Sequence, residues 1–233
     1  MAFIKSLLVA GLAVTTFSVS AQTADEIVAK NIEAMGGAAK LATLNSVKMT
    51  GSMSVQGTDV GITITKLNAK GFRVDLEVMG TSGYQLANNE KGFVFMPFAG
   101  MTEPKEMDPE AFKSTSSQSD VQGSLFNYKE KGTTVEYLGK EKVDAGEAYK
   151  LKVTNKNGKV STYYIDTKSN RLVKSVSKVN ANGEEMEMET SYSDYKQDAN
   201  GFWFPYSTTN MQGTITFDKI ESNIPIDESI FKG

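Results

Sequence analysis

The sequence predicts a mainly β protein (α+β): a single curved antiparallel sheet forming an incomplete barrel, covered by short helices. Three observations predict it. From Ser46 onward the apolar residues recur with a period of two, the spacing of a strand with one covered and one wet face. Short polar runs ending in glycine separate these stretches, as hairpin turns require. Helix signals are few and short, too few for a layer of crossover helices.

Each element has its own signature. Thr23-Ala-Asp-Glu26 is a capping box, in which the Thr hydroxyl and the Glu carboxylate each satisfy the other's backbone N–H. Val28, Ile32 and Met35 follow as one apolar stripe, and Gly36-Gly37 ends the helix. A short helical piece is expected over Ala38–Leu44. The strand rhythm then starts with Val47, Met49, Met53 and Val55. It continues through Val60, Ile62 and Ile64, and through Phe72, Val74, Leu76 and Val78. Later strands carry Tyr149-Leu151-Val153, Val160-Thr162-Tyr164, Met186-Met188 and Ile215-Phe217. About ten strands are expected on this spacing. The turns Asn68–Gly71, Asn155–Gly158, Asn180–Gly183 and Asp198–Gly201 each close on a glycine read as adopting positive φ.

Residues 97–128 interrupt the rhythm with three prolines and a Ser/Gln run. Asp108-Pro109 reads as an N-cap followed by Pro at the first helical position. An insertion of this length in a β domain is read as a lid, with Phe112, Leu125 and Phe126 as its apolar contacts. No composition break divides the rest, so one domain is expected over residues 22–233. Ahead of it, Lys5, the apolar run Ser6–Phe17 and Val19-Ser20-Ala21 read as a secretory signal cleaved after Ala21. The run is too short to span a bilayer comfortably. A soluble periplasmic product is expected.

Composition removes whole classes of chemistry. The 233 residues contain no Cys and no His. That excludes disulfides, thiolate nucleophiles, Ser-His-Asp triads and the common zinc and iron ligand sets. The 25 basic residues face 28 acidic ones, and only Arg73 and Arg171 are arginines, a balance unsuited to nucleic acid. No P-loop, dinucleotide-binding glycine pattern or calcium loop is present. The acids fall mostly on alternating wet positions. Glu185, Glu187 and Glu189 are the clearest case, and no pair is singled out for acid–base work. No cofactor, metal or catalytic residue is expected.

Several segments together resemble the outer-membrane lipoprotein carrier/sorting superfamily (LolA/LolB-like). Lys66–Val74 followed by Gln85–Phe98 is similar to that family's central hairpins. Leu138–Asp144 through Tyr149–Val153 resembles its middle strands. Tyr163–Asp166 with Arg171-Leu-Val, and Tyr195 through Gly201–Pro205, resemble the next pair. Phe217–Ile220 and Asn223–Phe231 resemble the closing strand and tail. The resemblance implies a half-barrel plugged by helices that holds the acyl chains of a lipid or lipid-modified protein. Membrane-bound donor or acceptor proteins would be its partners, and the carrier itself would be a monomer. Where the classical carriers place an Arg beside a Pro, this chain has Asn68-Ala69-Lys70-Gly71, so the family's lid latch is missing.

The predicted cavity wall is Met49, Met53, Ile62, Ile64, Phe72, Val74, Leu76, Phe93, Phe95, Met186, Met188 and Phe217. Its many methionines suit acyl chains of varied length, although for any one of them ordinary core filling is the better reading. Lys70 and Arg73 are candidates for contact with a headgroup or partner. Trp203, between Phe202 and Phe204, is read as covering a hairpin end. A non-enzymatic envelope sensor or scaffold binding a protein through the same cleft is the alternative function. The N-terminus of protein recovered from the envelope should be Gln22 by mass spectrometry; retention of residues 1–21 would contradict the export reading.

Overall fold

Thr23 caps the first helix as its sequence demands. Glu26 N–H donates to Thr23 Oγ1 at 3.2 Å, and Thr23 N–H donates to Glu26 Oε2 at 3.1 Å. The computed structural model describes residues 23–55, 57–144, 146–181 and 184–233, so the expected signal and the Gly183 turn position lie outside the described residues. Helix α1 (Ala24–Ala34) buries Ile27 and Val28, while α2 (Ala38–Leu41) is shorter than expected. Asn31 Nδ2 donates to the Asn170 carbonyl at 2.8 Å, pinning the far end of α1 to the sheet.

The remainder forms one thirteen-stranded antiparallel sheet, more strands than the period-two runs suggested. In chain order the strands are β1 (Ser46–Val55), β2 (Thr58–Leu67), β3 (Gly71–Val78), β4 (Thr81–Ala87), β5 (Gly92–Phe95) and β6 (Lys105–Glu106). After helix α3 (Pro109–Ser116) follow β7 (Thr134–Val143), β8 (Gly146–Thr154), β9 (Val160–Asp166) and β10 (Leu172–Ala181). The last three are β11 (Glu184–Gln197), β12 (Trp203–Asn210) and β13 (Gly213–Ser222). Spatially the order runs β6-β5-β4-β3-β2-β1-β13-β12-β11-β10-β9-β8-β7. The two edges, β6 and β7, are consecutive in sequence. Residues 107–133 therefore have to pass from one edge to the other, and they do so across the hollow of the sheet.

Closing β1 against β13 requires a close approach. The register shifts between Thr50 and Gly51, and a Cβ on Gly51 would lie 2.1 Å from the Thr216 carbonyl oxygen. A bulge of this kind bends a sheet and sharpens its twist.

Both faces are covered, by different pieces of the chain. On the inner face α1 packs Ile27 and Val28 against Tyr149, Leu151, Val153 and Ile165, with Leu125 joining from the insertion. Beside it, Leu44, Val47, Phe202, Phe217 and Ile220 form a second cluster, with Val121 against it. On the outer face the C-terminal tail straps β1 to β5. Ser46 Oγ donates to the Ile224 carbonyl at 2.7 Å, and Asn88 Nδ2 to that of Phe231 at 3.1 Å. Phe231 lies on Gly71, where a Cβ would come within 2.4 Å of the ring. This corrects one turn expectation. Gly158 and Gly201 do adopt positive φ, but at Asn68–Gly71 the positive φ belongs to Ala69, and Gly71 is there to make room for Phe231.

Phe231 is 2 % exposed, so truncating it empties a full aromatic site under the tail. Phe231→Ala should lower unfolding stability by about 3 kcal/mol. An unchanged urea midpoint would show that the tail is not part of the core.

Candidate ligand-binding trough

Cross-strand partners share a face, so the ladder itself defines the inner wall. Met49 pairs with Ile64, Ile64 with Val74, Ile62 with Leu76, and Met53 with both Val60 and Ile215. Phe217 stands opposite Gly51, which pairs in turn with Ile62. On the other arm Met186 faces Val179 and Met188 faces Ser177. All the predicted wall residues except Phe93 and Phe95 thus stand on one continuous concave face. Ile62, Phe72 and Phe217 are buried there; Met49, Met53, Ile64, Val74, Leu76 and Met188 are half-buried, and Met186 is exposed.

Phe93 and Phe95 are corrections. Val74 pairs with Gln85 and Gln85 with Val94, so Val94 is the inward residue of β5. Phe93 and Phe95 point outward opposite Leu86 and Tyr84, and Gly233 lies against the Phe93 ring. Aromatic residues suit that face because the tail covers it. Lys70 and Arg73 are a second correction. Lys70 pairs with Glu228 in the tail. Arg73, on the outer face, pairs with Asp75 at 2.6 Å, donates to the Ile230 carbonyl at 2.8 Å and stacks on Tyr84 at 4.6 Å. Both residues hold the tail, away from the trough.

The insertion fills the hollow in two ways. Leu125 and Phe126 are buried and behave as a fixed plug. Helix α3 is attached more lightly. Its N-cap Asp108 accepts from the N–H groups of Glu110 and Ala111, both at 2.9 Å. Phe112 sits half-buried over Gly92, where a Cβ would lie 3.2 Å from its ring. Gln85 Nε2 donates to Thr115 Oγ1 at 2.8 Å, tying the helix to the inner face through a polar contact. Sequence reasoning missed this tie, although Gln85 stands between the apolar residues Val74 and Val94 in the ladder.

Two cations were also missed. Lys66 continues the inward series Val60, Ile62, Ile64 and lies between Val47 and Phe72 in the ladder. Burial pushes its pKa down, with the charge of Asp120 opposing. Arg171 stacks on Trp203 at 3.8 Å and on Tyr195 at 5.6 Å, and donates to the Ala34 carbonyl at 3.4 Å. A cation there complements the C-terminal dipole of α1. Trp203 therefore serves the α1 dock and not the trough.

Between α3 and the ends of β8 to β11 lies a cleft of about 950 Å³. Most of the residues around it are polar, among them Gln85, Thr115, Gln118, Asn155 and Lys159, and Val160 and Val179 add apolar surface. At the same end of the sheet, hairpin tips and strand ends expose Val55, Met79, Phe98, Val160, Met186 and Met211. Met79 is 88 % exposed. The outer faces carry the charges expected of them; Glu185 and Glu189 pair with Lys178 and Lys174 at 2.7 and 3.0 Å.

No protein-family profile matches the chain, and no curated protein matches it in sequence. Solved structures do. A LolA superfamily protein from Nitrosomonas europaea superposes with TM-score 0.56 at 13 % identity, covering 91 % of this chain and 99 % of that one. A domain assigned to outer membrane lipoprotein sorting, from Vibrio parahaemolyticus, gives 0.54 at 14 %, covering 89 % and 95 %. A DUF1329 family protein from Desulfovibrio piger gives 0.57 at 9 %, covering 91 % and 98 %. The chain shares its fold with these solved structures.

Thr115→Val removes the acceptor of the Gln85 amide and should loosen α3 by about 1 kcal/mol. Hydrogen exchange at 109–116 should quicken while β8 and β9 stay protected. Unchanged exchange in α3 would show that the tie does not hold the helix.

Proposed function

We propose that the protein is a non-enzymatic periplasmic carrier that shelters the acyl chains of a lipid or lipid-modified protein against the inner face of its half-barrel. One observation carries this reading. The half-buried side chains Met49, Met53, Ile64, Val74 and Leu76 form an apolar stretch of wall on neighbouring strands, and helix α3 packs on the same face and is tied to it by the hydrogen bond between Gln85 and Thr115. Burying apolar chains there supplies affinity in proportion to area, about 25 cal/mol per Å². Displacing α3 supplies exchange without unfolding the plug. The exposed apolar tips at the cleft end give an acyl chain a route from a membrane or partner, since such side chains mark contact surfaces.

The carboxylates with displaced pKa values sit at helix starts and a turn, and none lines the cleft. Asp25 is lowered by hydrogen bonding from Lys129 and Tyr128, and Asp227 by the N–H of Ser229. Burial raises Asp166, but hydrogen bonds from Ser169 and Lys168 outweigh it and leave it lowered. All three are held ionised, the reverse of a general acid's requirement.

The many polar residues around the 950 Å³ cleft favour a second reading, an envelope sensor or scaffold that binds a protein segment there. Displacement of a fluorescent fatty acid separates the two. Detergent-free protein should bind the probe, and Leu76→Glu should abolish binding without loss of folding. Glu77→Gln, on the exposed outer face, should leave it unchanged. Full uptake by the Leu76 variant would contradict the wall assignment, and no uptake by wild type would favour the protein-partner reading.

A further inference from the structure

We propose that Lys66 anchors the negatively charged head of the ligand, so that the trough prefers anionic lipids, carboxylates or phosphate esters, over neutral ones. This rests on the acyl-binding reading above and narrows it.

The geometry begins with the ladder. Lys66 occupies an inward position of β2, directly across from Val47 and Phe72, which are 2 % and 3 % exposed. The turn Ser117–Ser119 packs over β2 and β3 beside it. Its ammonium lies 5.5 Å from the centroid of the Phe72 ring, a contact that offsets part of the cost of leaving water. Among the described residues no carboxylate lies within ion-pair distance of Lys66 and no side chain or carbonyl accepts a hydrogen bond from it. Asp120, the acid whose field reaches it, is already engaged by Lys131 at 2.7 Å. Lys131 also donates to the Gly123 carbonyl at 2.9 Å.

The contrast with the exposed lysines is sharp. Lys140, Lys150, Lys178 and Lys196 each hold a carboxylate at 2.7 Å, where water would satisfy them anyway. Lys66, on the inner face, has none among the described residues. Lys66 is half-buried, and an ammonium that faces apolar side chains without a counter-charge is a candidate functional group. A ligand with an anionic head supplies the missing partner while its chain runs along Ile64, Val74, Ile62 and Leu76 toward the exposed tips. Charge narrows the ligand class further. A diacylglyceryl group on a protein has no anion to offer, whereas a free fatty acid or an acidic phospholipid does.

Affinities for palmitate, hexadecyl phosphate and hexadecanol, measured with wild type, Lys66→Met and Lys66→Gln, test the proposal. Wild type should bind both anions roughly ten-fold more tightly than the alcohol, the ratio expected of one charge-assisted hydrogen bond. Both variants should bind all three alike, and Lys66→Met should melt at a higher temperature than wild type. Equal affinities in wild type, or a preference that survives in the variants, would overturn the proposal while leaving acyl binding intact. Acetate and inorganic phosphate should not displace palmitate; displacement by either at comparable concentration would mark a small-anion site and overturn it too. Failure of all three amphiphiles to bind wild type would instead remove the acyl-binding reading on which it stands.

Discussion

An antiparallel sheet that does not close into a barrel leaves a hollow face and two edges, and the rest of this structure answers that constraint. Because β6 and β7 are neighbours in sequence and opposite extremes in space, the segment joining them is compelled to cross the hollow. Leu125 and Phe126 become core, and α3 becomes cover, as a consequence of connectivity. The edges are blunted in familiar ways. β6 has two residues, and β7 carries Glu136, Lys140, Glu141 and Lys142 with a register shift at Gly139. Short, charged or bulged edges resist pairing with another chain.

The same constraint separates the roles of the two faces. The outer face of β1 to β5 is covered by the tail, through Phe231 on Gly71 and Arg73 on Ile230. The inner face is sealed partly by plug and partly by a helix with one polar tie to the wall. Rigidity outside and a lighter attachment inside is the arrangement a carrier needs, since exchange must open one face without loosening the other. The missing Arg-Pro pair of the resembled family is consistent with this. The Asn68–Gly71 turn serves the tail, and Gln85 with Thr115 holds the helix.

Much of the fold was legible. The capping box at Thr23, the Asp108-Pro109 helix start and the alternation of β1 to β3 are local signals, and the structure follows them. What was not legible depended on register. Alternation within Gly92-Phe-Val-Phe-Met96 separates two faces but does not say which is inward. Both faces there are covered, so Phe93 and Val94 are equally apolar candidates. Only the pairing through Gln85 assigns them. Lys66 was hidden for the opposite reason: a lysine at the end of an apolar series reads as the point where the strand meets water. This lysine is half-buried, and the distant turn Ser117–Ser119 that packs over β2 and β3 is placed there by no local pattern. Gly71 and Arg73 were misread because their partner, the tail, lies about 160 residues away.

The central claim is that acyl chains lie on the inner wall, and photo-cross-linking tests it most directly. A fatty acid carrying a diazirine midway along its chain, bound to the detergent-free protein and irradiated, should label peptides containing Met49, Ile64, Val74 or Leu76. Labelling confined to the outer face, to the exposed tips alone, or absent altogether would contradict the account.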